Sequence, residues 1–310
     1  MINTDILSAY LSGRQGDSSF VFKKMVPKLQ VKSGFVQAYK NDTTIKLDKT
    51  MNARAENFPK FKQMSGTRIY GSVEPLMDGQ MITANQILDL GPETLDFEKQ
   101  MRTGMAVDNI DRFLEWQFAT QVETAITDET RNEATTSTNW ALDDLNKIMT
   151  NVNDILAPFN SMRAISGHRP NFIWCNPTVF QKIWSVRQAL ASDKTGVLNE
   201  NLEAAAYFCN TPILEASANY NAGSDESPTW TDIWPENKLY YAYIDQSPSI
   251  TAPKSTLCIM IEREDIGGQN PFVSEWEDEL KNWHVAVRYN PGWFWVDLNC
   301  AYALTGMGFK

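Results

Sequence analysis

Histidine is nearly absent from this chain of 310 residues: His168 and His284 are the only two. Neither has a partner at HxxxH or HExxH spacing, which excludes the common helical zinc signatures. His168, in "SGHRPNF", reads as a loop residue before a strand, and His284 as the polar face of a strand; both read as structural, with a ligand or base role as the alternative. Cysteine is also sparse. Cys175, Cys209, Cys258 and Cys300 lie far apart with no CxxC pair, in apolar settings such as "FIWCN" and "AYFCN". That pattern predicts buried free thiols, not a metal or disulfide framework. No apolar run approaches the roughly 18 residues of a membrane span, and "MINTDILSAYLSGRQGDSS" lacks the apolar core of a secretion leader, so no membrane partner is expected. The glycines of "DIGGQNP" have no following Lys-Ser/Thr and no dinucleotide spacing, and no GxSxG elbow occurs. No catalytic residue, cofactor or metal ligand is therefore assigned.

What is present is apolar bulk and an uneven charge. Hydrophobic residues make up 43% of the chain, enough to bury a sizeable core, and the formal charge is -10. An overall acidic surface argues against a chain devoted wholly to nucleic acid. Yet Lys23 to Arg68 holds eleven basic residues against three acidic ones, a net of +8. Its apolar residues are few, and strand-like pieces at 43–47 and 67–70 flank a polar tip. Such a stretch cannot build its own core, so a projecting hairpin is predicted. From Asp89 to Glu133 eleven acidic residues face four basic ones, a net of -7.

"GPETLDFEKQ" opens a helix with Pro92 and Glu93 in its first turn. Ile110, Phe113, Leu114, Phe118, Val122, Ala125 and Ile126 continue it at helical spacing to about Arg131. The opposed charges are either two solvated surfaces or the two halves of a contact between copies.

The middle of the chain alternates helix and strand, as in an α/β lobe. Leu145 to Leu156 forms a helix expected to end at Pro158. "NFIWC" is a buried strand; Asn176 caps and Pro177 starts the next helix. "NENLEAAAYF" reads as a helix, "TPILEA" as a strand, and "SANYNAGSDESPTWTDIWPENK" as a polar surface loop. Beyond Leu239 the pattern is mostly β. Trp283, Val285, Val287 and Tyr289 alternate with polar or small neighbours, "NPG" breaks the run, and 293–302 is expected as a single further strand. The aromatics of this stretch read as sheet core and the acidic "SEWEDELK" as a solvated turn.

This order of parts, together with "HRPNFIWCNPTVFQKIW", the "EASANYNA…TDIWPENKLYYAYID" passage and the ending "VRYNPGWFWVD", resembles the major capsid protein of tailed double-stranded DNA bacteriophages, the Hong Kong 97 fold. The resemblance covers nearly the whole chain and implies an α+β fold in four parts. These are an N-terminal arm (1–27), an extended β-hairpin loop (28–75), a peripheral domain with a long spine helix (76–134 and 240–289), and an axial α/β domain (135–239 and 290–310). It implies no enzymatic activity. It further implies self-assembly as pentamers and hexamers into an icosahedral shell in a virion, put together in the host cytoplasm. Portal and scaffolding proteins, double-stranded DNA held non-specifically and a decoration protein are the partners it suggests.

On this reading Lys46, Lys49, Arg54, Lys60, Lys62 and Arg68 of one copy meet Glu98, Asp108, Asp111 and Glu115 of the next. The chain begins almost directly with the arm, so a mature form or a separate scaffold is expected. An encapsulin-like shell around cargo is the nearest alternative, and a nucleic-acid-binding module using residues 23–68 or a histidine-dependent hydrolase are others.

Overall fold

The computed structural model describes residues 20–41, 66–89, 92–128, 132–136, 145–185, 207–208, 211–223, 227–249, 255–263 and 271–307. A short helix α1 (Val21–Met25) leads into β1 (Lys28–Val31). β2 (Phe35–Asn41) and β3 (Gly66–Ser72) then pair antiparallel in unbroken register from Phe35 opposite Ser72 to Asn41 opposite Gly66. The expected hairpin is thus present at its base; the strand piece expected at 43–47 lies outside the described residues. β4 (Leu76–Ile82) and α2 (Ala84–Asp89) precede the longest element, α3 (Pro92–Asp128). Its 37 residues span about 55 Å at the α-helical rise. Ile110, Leu114, Phe118, Val122, Ala125 and Ile126 line its buried face as the spacing predicts. Phe113 does not: it faces out and stacks on Trp116.

After β5 (Glu133–Thr135), α4 (Leu145–Ser166) runs straight through Pro158. Proline withholds one N–H, but Ile155, Phe159 and Met162 on the same side are buried, and that packing outweighs the lost bond. The helix ends instead at Gly167, whose φ of +81° suits only glycine comfortably. The Gly167 amide closes the last turn on the Arg163 carbonyl at 3.0 Å. β6 (Phe172–Cys175) follows, and then α5 (177–185), where the Asn176 side chain accepts from the Thr178 amide at 2.8 Å, the predicted cap.

Tyr207–Phe208, expected as helix, form β7, paired with β8 (Thr211–Glu215). The polar loop beyond carries a small hairpin, β9 (Asn219–Asn221) with β10 (Trp230–Asp232), and buries Trp234 completely. β11 (Lys238–Ala242), β12 (Cys258–Arg263), β13 (Phe272–Glu277) and β14 (Trp283–Tyr289) complete the central part. The expected single strand over 293–302 is two. β15 (Pro291–Trp295) and β16 (Ala301–Thr305) flank a short turn in which Asp297 accepts from the Asn299 amide. The turn moves the chain from one sheet to another.

Three main sheets result. β1, β12 and β15 form one; β13, β14 and β4 form an antiparallel second; β5, β16, β11, β6, β8 and β7 form a mixed third. β11 therefore straddles the expected 239/240 boundary, and β15 pairs outside the sheet that holds β16. One large core joins α1, α3, α4 and the six-stranded sheet, and a smaller one holds Val36, Ala38, Ile259, Ile261, Phe294 and Val296 under the hairpin base. The stretch from Asn282 to Gly306 is wall material: Val285, Val287, Phe294, Cys300 and Ala303 are buried. Cys175, Cys258 and Cys300 are free and buried.

Candidate assembly surface

The spine helix α3 positions most of what could meet a neighbour. Phe118 anchors it, stacking on Trp293 and Trp295 at 5.4 and 5.9 Å and meeting Trp234 edge-on at 5.9 Å. With that side locked, the opposite side faces outward. Phe97, Met101, Met105, Phe113 and Trp116 recur there at helical spacing, all exposed, with Phe97 66% accessible. Met77 of β4, 73% accessible, extends the stripe beside Phe113. A groove of about 440 Å³ runs along the same helix, lined by Leu114, Trp116, Thr120 and Pro291, Trp293 and Trp295 of β15. Apolar side chains exposed along one side of a helix, here interrupted by Asn109, are the kind of surface that proteins use to meet a partner. The sequence pattern pointed to the buried side of this helix and missed the exposed one.

The charged residues expected to meet a neighbour fall into three groups. Lys46, Lys49, Arg54, Lys60 and Lys62 lie outside the described residues; Arg68 is exposed on β3. Glu98 pairs along the helix with Arg102 at 2.9 Å, and Asp108 is half-buried. Asp111 and Glu115 are buried within the chain's own fold. Asp111 pairs with Lys23 of α1. Burial raises its carboxyl above the usual range, and Lys23 opposes that rise.

Glu115, 0% accessible, accepts from the Phe22 amide at 3.1 Å and from the Trp234 indole N–H at 2.5 Å. Burial lifts its pKa from 4.5 to about 7, against the downward pull of these N–H donors. In this conformation their carboxylates are occupied by α1 and Trp234.

The two histidines sit against rings. His168 stacks on Tyr243 at 4.3 Å. His284 stacks on Trp276 at 5.1 Å, and its Nε2 lies 2.9 Å from Asp278 Oδ2. Asp278 also accepts from the Leu280 and Asn282 amides, so it shapes the turn between β13 and β14, and the His284 bond first, with those from Asn282, holds its carboxyl well below the usual range. Glu275, half-buried, faces the buried Lys99 at 3.5 Å, with the Lys99 ammonium 3.6 Å from the Trp283 ring centre. Among the described residues no group of three His, Cys, Asp or Glu side chains is placed to hold a metal ion. No described helix is long and apolar enough to cross a membrane.

No protein-family model and no curated protein matches the chain. Solved structures do. A phage-related protein from Bordetella bronchiseptica RB50 superposes with a TM-score of 0.68 at 14% identity, covering 99% of this chain and 97% of its own. A structure from Microbacterium phage Oxtober96 gives 0.57 at 14% identity, with 93% and 91% covered. The SrpI encapsulin of Synechococcus elongatus PCC 7942 gives 0.54 at 8% identity, with 93% and 88% covered. A bacteriophage PhiM1 mature capsid gives 0.55 at 11% identity, with 90% and 84% covered. At such identities the likeness is one of architecture, and it runs nearly end to end: the chain has the Hong Kong 97 fold of phage capsid proteins.

Proposed function

We propose that this chain is a structural, non-enzymatic capsid protein that assembles with copies of itself into a closed shell. The observation that carries the reading is the end-to-end superposition on phage chains combined with the exposed apolar stripe of α3. Covering the exposed part of a side chain such as Phe97 or Trp116 with a neighbouring copy would recover about 1–2 kcal/mol each. In the finer form of the reading, pentamers and hexamers close an icosahedral shell around double-stranded DNA. Portal, scaffolding and decoration proteins are its partners in the virion. The four-part division expected from the sequence is carried into this reading, with the hairpin of one copy crossing its neighbour.

Lys46, Lys49, Arg54, Lys60, Lys62 and Arg68 then meet Glu98 and Asp108, while Asp111 and Glu115 serve the fold of their own chain. Each exposed pair is worth only about 0–1 kcal/mol, but a shell repeats it many times, and weak pairs let misplaced copies leave. The likeness to an encapsulin supports a second reading, a cargo shell without DNA. Sedimentation velocity of the purified chain at low and moderate salt tests both. Particles far larger than capsomers, loosened by salt, support the shell, and nuclease-resistant DNA within particles recovered from cells separates the capsid from the cargo container. A monomer at every salt and protein concentration, with scaffold-bearing lysate added, overturns both.

A further inference from the structure

We propose that Glu115 is a proton-operated clamp, fastening helix α1 and the Trp234 segment to the spine helix more tightly when protonated and loosening as its carboxyl ionises. The inference goes beyond the shell reading and does not depend on it. Glu115 sits where three distant stretches converge. Its two oxygens take N–H donors from residues 93 positions before it and 119 after it, Phe22 and Trp234. The Val21 amide adds a third interaction. Val21, Phe22 and Met25 are fully buried behind this contact, with Phe22 edge-on to Trp293 at 5.9 Å.

The clamp lacks a counter-cation. Among the described residues no Lys or Arg nitrogen lies within ion-pair distance of Glu115: Lys23 of α1 is taken by Asp111, one turn earlier on α3, and Lys24 acts only from farther away. From the Trp234 side the nearest acidic groups in sequence are Asp232, which accepts from the Asn176 side-chain amide at 2.7 Å, and Glu236, which bears on Lys182. β15 presents Trp293 and Trp295, which carry no charge. A fully buried carboxylate held by N–H donors alone still loses most of its hydration.

The direction follows by linkage. With α1 lifted away, Glu115 meets water and its pKa falls back toward 4.5; in place, it is about 7. Closing the clamp therefore takes up a proton between these values. Acid favours the closed form, that advantage is lost as pH rises toward 7, and little changes above it. Between pH 5 and pH 8 the opening equilibrium rises roughly 70-fold.

Hydrogen exchange of the 20–26 amides, corrected for the intrinsic pH dependence of exchange, reads that equilibrium in the purified chain, assembled or not. The wild type shows the rise and its plateau. Glu115→Gln keeps the shape but cannot titrate, so it loses the rise between pH 5 and pH 8 apart from what Asp111, paired with Lys23 of α1, contributes, while Asp111→Asn retains the rise that Glu115 causes. A wild type varying less than threefold, or the same rise in Glu115→Gln, overturns the proposal. If Glu115→Gln does not fold, the wild-type indole N–H resonances decide. One that titrates near pH 7 supports the clamp; none titrating above the ordinary glutamate range overturns it.

Discussion

Replacing Gly292 by alanine would wedge apart the hairpin and the sheet beneath it. A Cβ at this position would lie 2.1 Å from the Ser72 carbonyl oxygen, 2.9 Å from its carbon and 3.0 Å from the Val73 Cα. All three are backbone atoms, so no side chain can swing aside. β15 must instead retreat by about an ångström from the end of β3. Two hydrogen bonds cross or border that contact at 2.9 Å each, Glu74 N–H to the Pro291 carbonyl and Val73 N–H to the Gly34 carbonyl. The small core of Val36, Ala38, Ile259, Ile261 and Phe294 is assembled across the same seam.

Overpacking of this kind costs about 1–3 kcal/mol, and a strained or broken bond adds about 1. We expect Gly292→Ala to lose about 2–4 kcal/mol by urea unfolding at unchanged m-value. Gly79→Ala is the control, because its Cβ would meet nothing nearer than 3.8 Å. A Gly292→Ala chain within 0.5 kcal/mol of wild type would refute the close approach.

Other perturbations probe the core and the outer face. Phe118→Ala removes the ring at the centre of the Trp174, Trp234, Trp293 and Trp295 cluster, and a loss of about 3–5 kcal/mol is expected by chemical denaturation. Trp234→Phe keeps an aromatic side chain but a smaller one, and withdraws the N–H from Glu115; it should cost about 1–3 kcal/mol and raise the Glu115 pKa further, read from the pH dependence of unfolding. Asp278→Ala should abolish exchange protection at the Leu280 and Asn282 amides while leaving the global unfolding midpoint in place. Trp116→Glu, on the exposed stripe, should leave stability within about 0.5 kcal/mol but reduce particle yield at least tenfold in sedimentation.

Much of the architecture was legible because local chemistry and packing agree. The 3.6-residue recurrence from Ile110 to Ile126, the Asn176-Pro177 start and the alternation from Trp283 to Tyr289 each name an element that the fold contains. The failures come where tertiary contacts override local signals. Pro158 stays inside a helix because its neighbours are buried. Trp234 lies in a polar stretch, yet its indole is drawn inward by the buried carboxylate it serves. Phe113 shares the apolar identity of its buried neighbours and points the other way, since a long helix can carry apolar residues toward a core and toward a partner.

Net charge was equally blind to burial. It grouped Glu115 with Glu98, although one is sealed inside the chain and the other pairs on its surface. The resemblance supplied the order of parts, while strand pairing placed β15 and β16 in separate sheets.

The shell itself is tested most directly by electron microscopy of the purified, concentrated chain. Closed particles of uniform diameter, or five- and six-membered rings, are the predicted result. A homogeneous field of single copies at all concentrations, with scaffold-bearing lysate supplied, would contradict it.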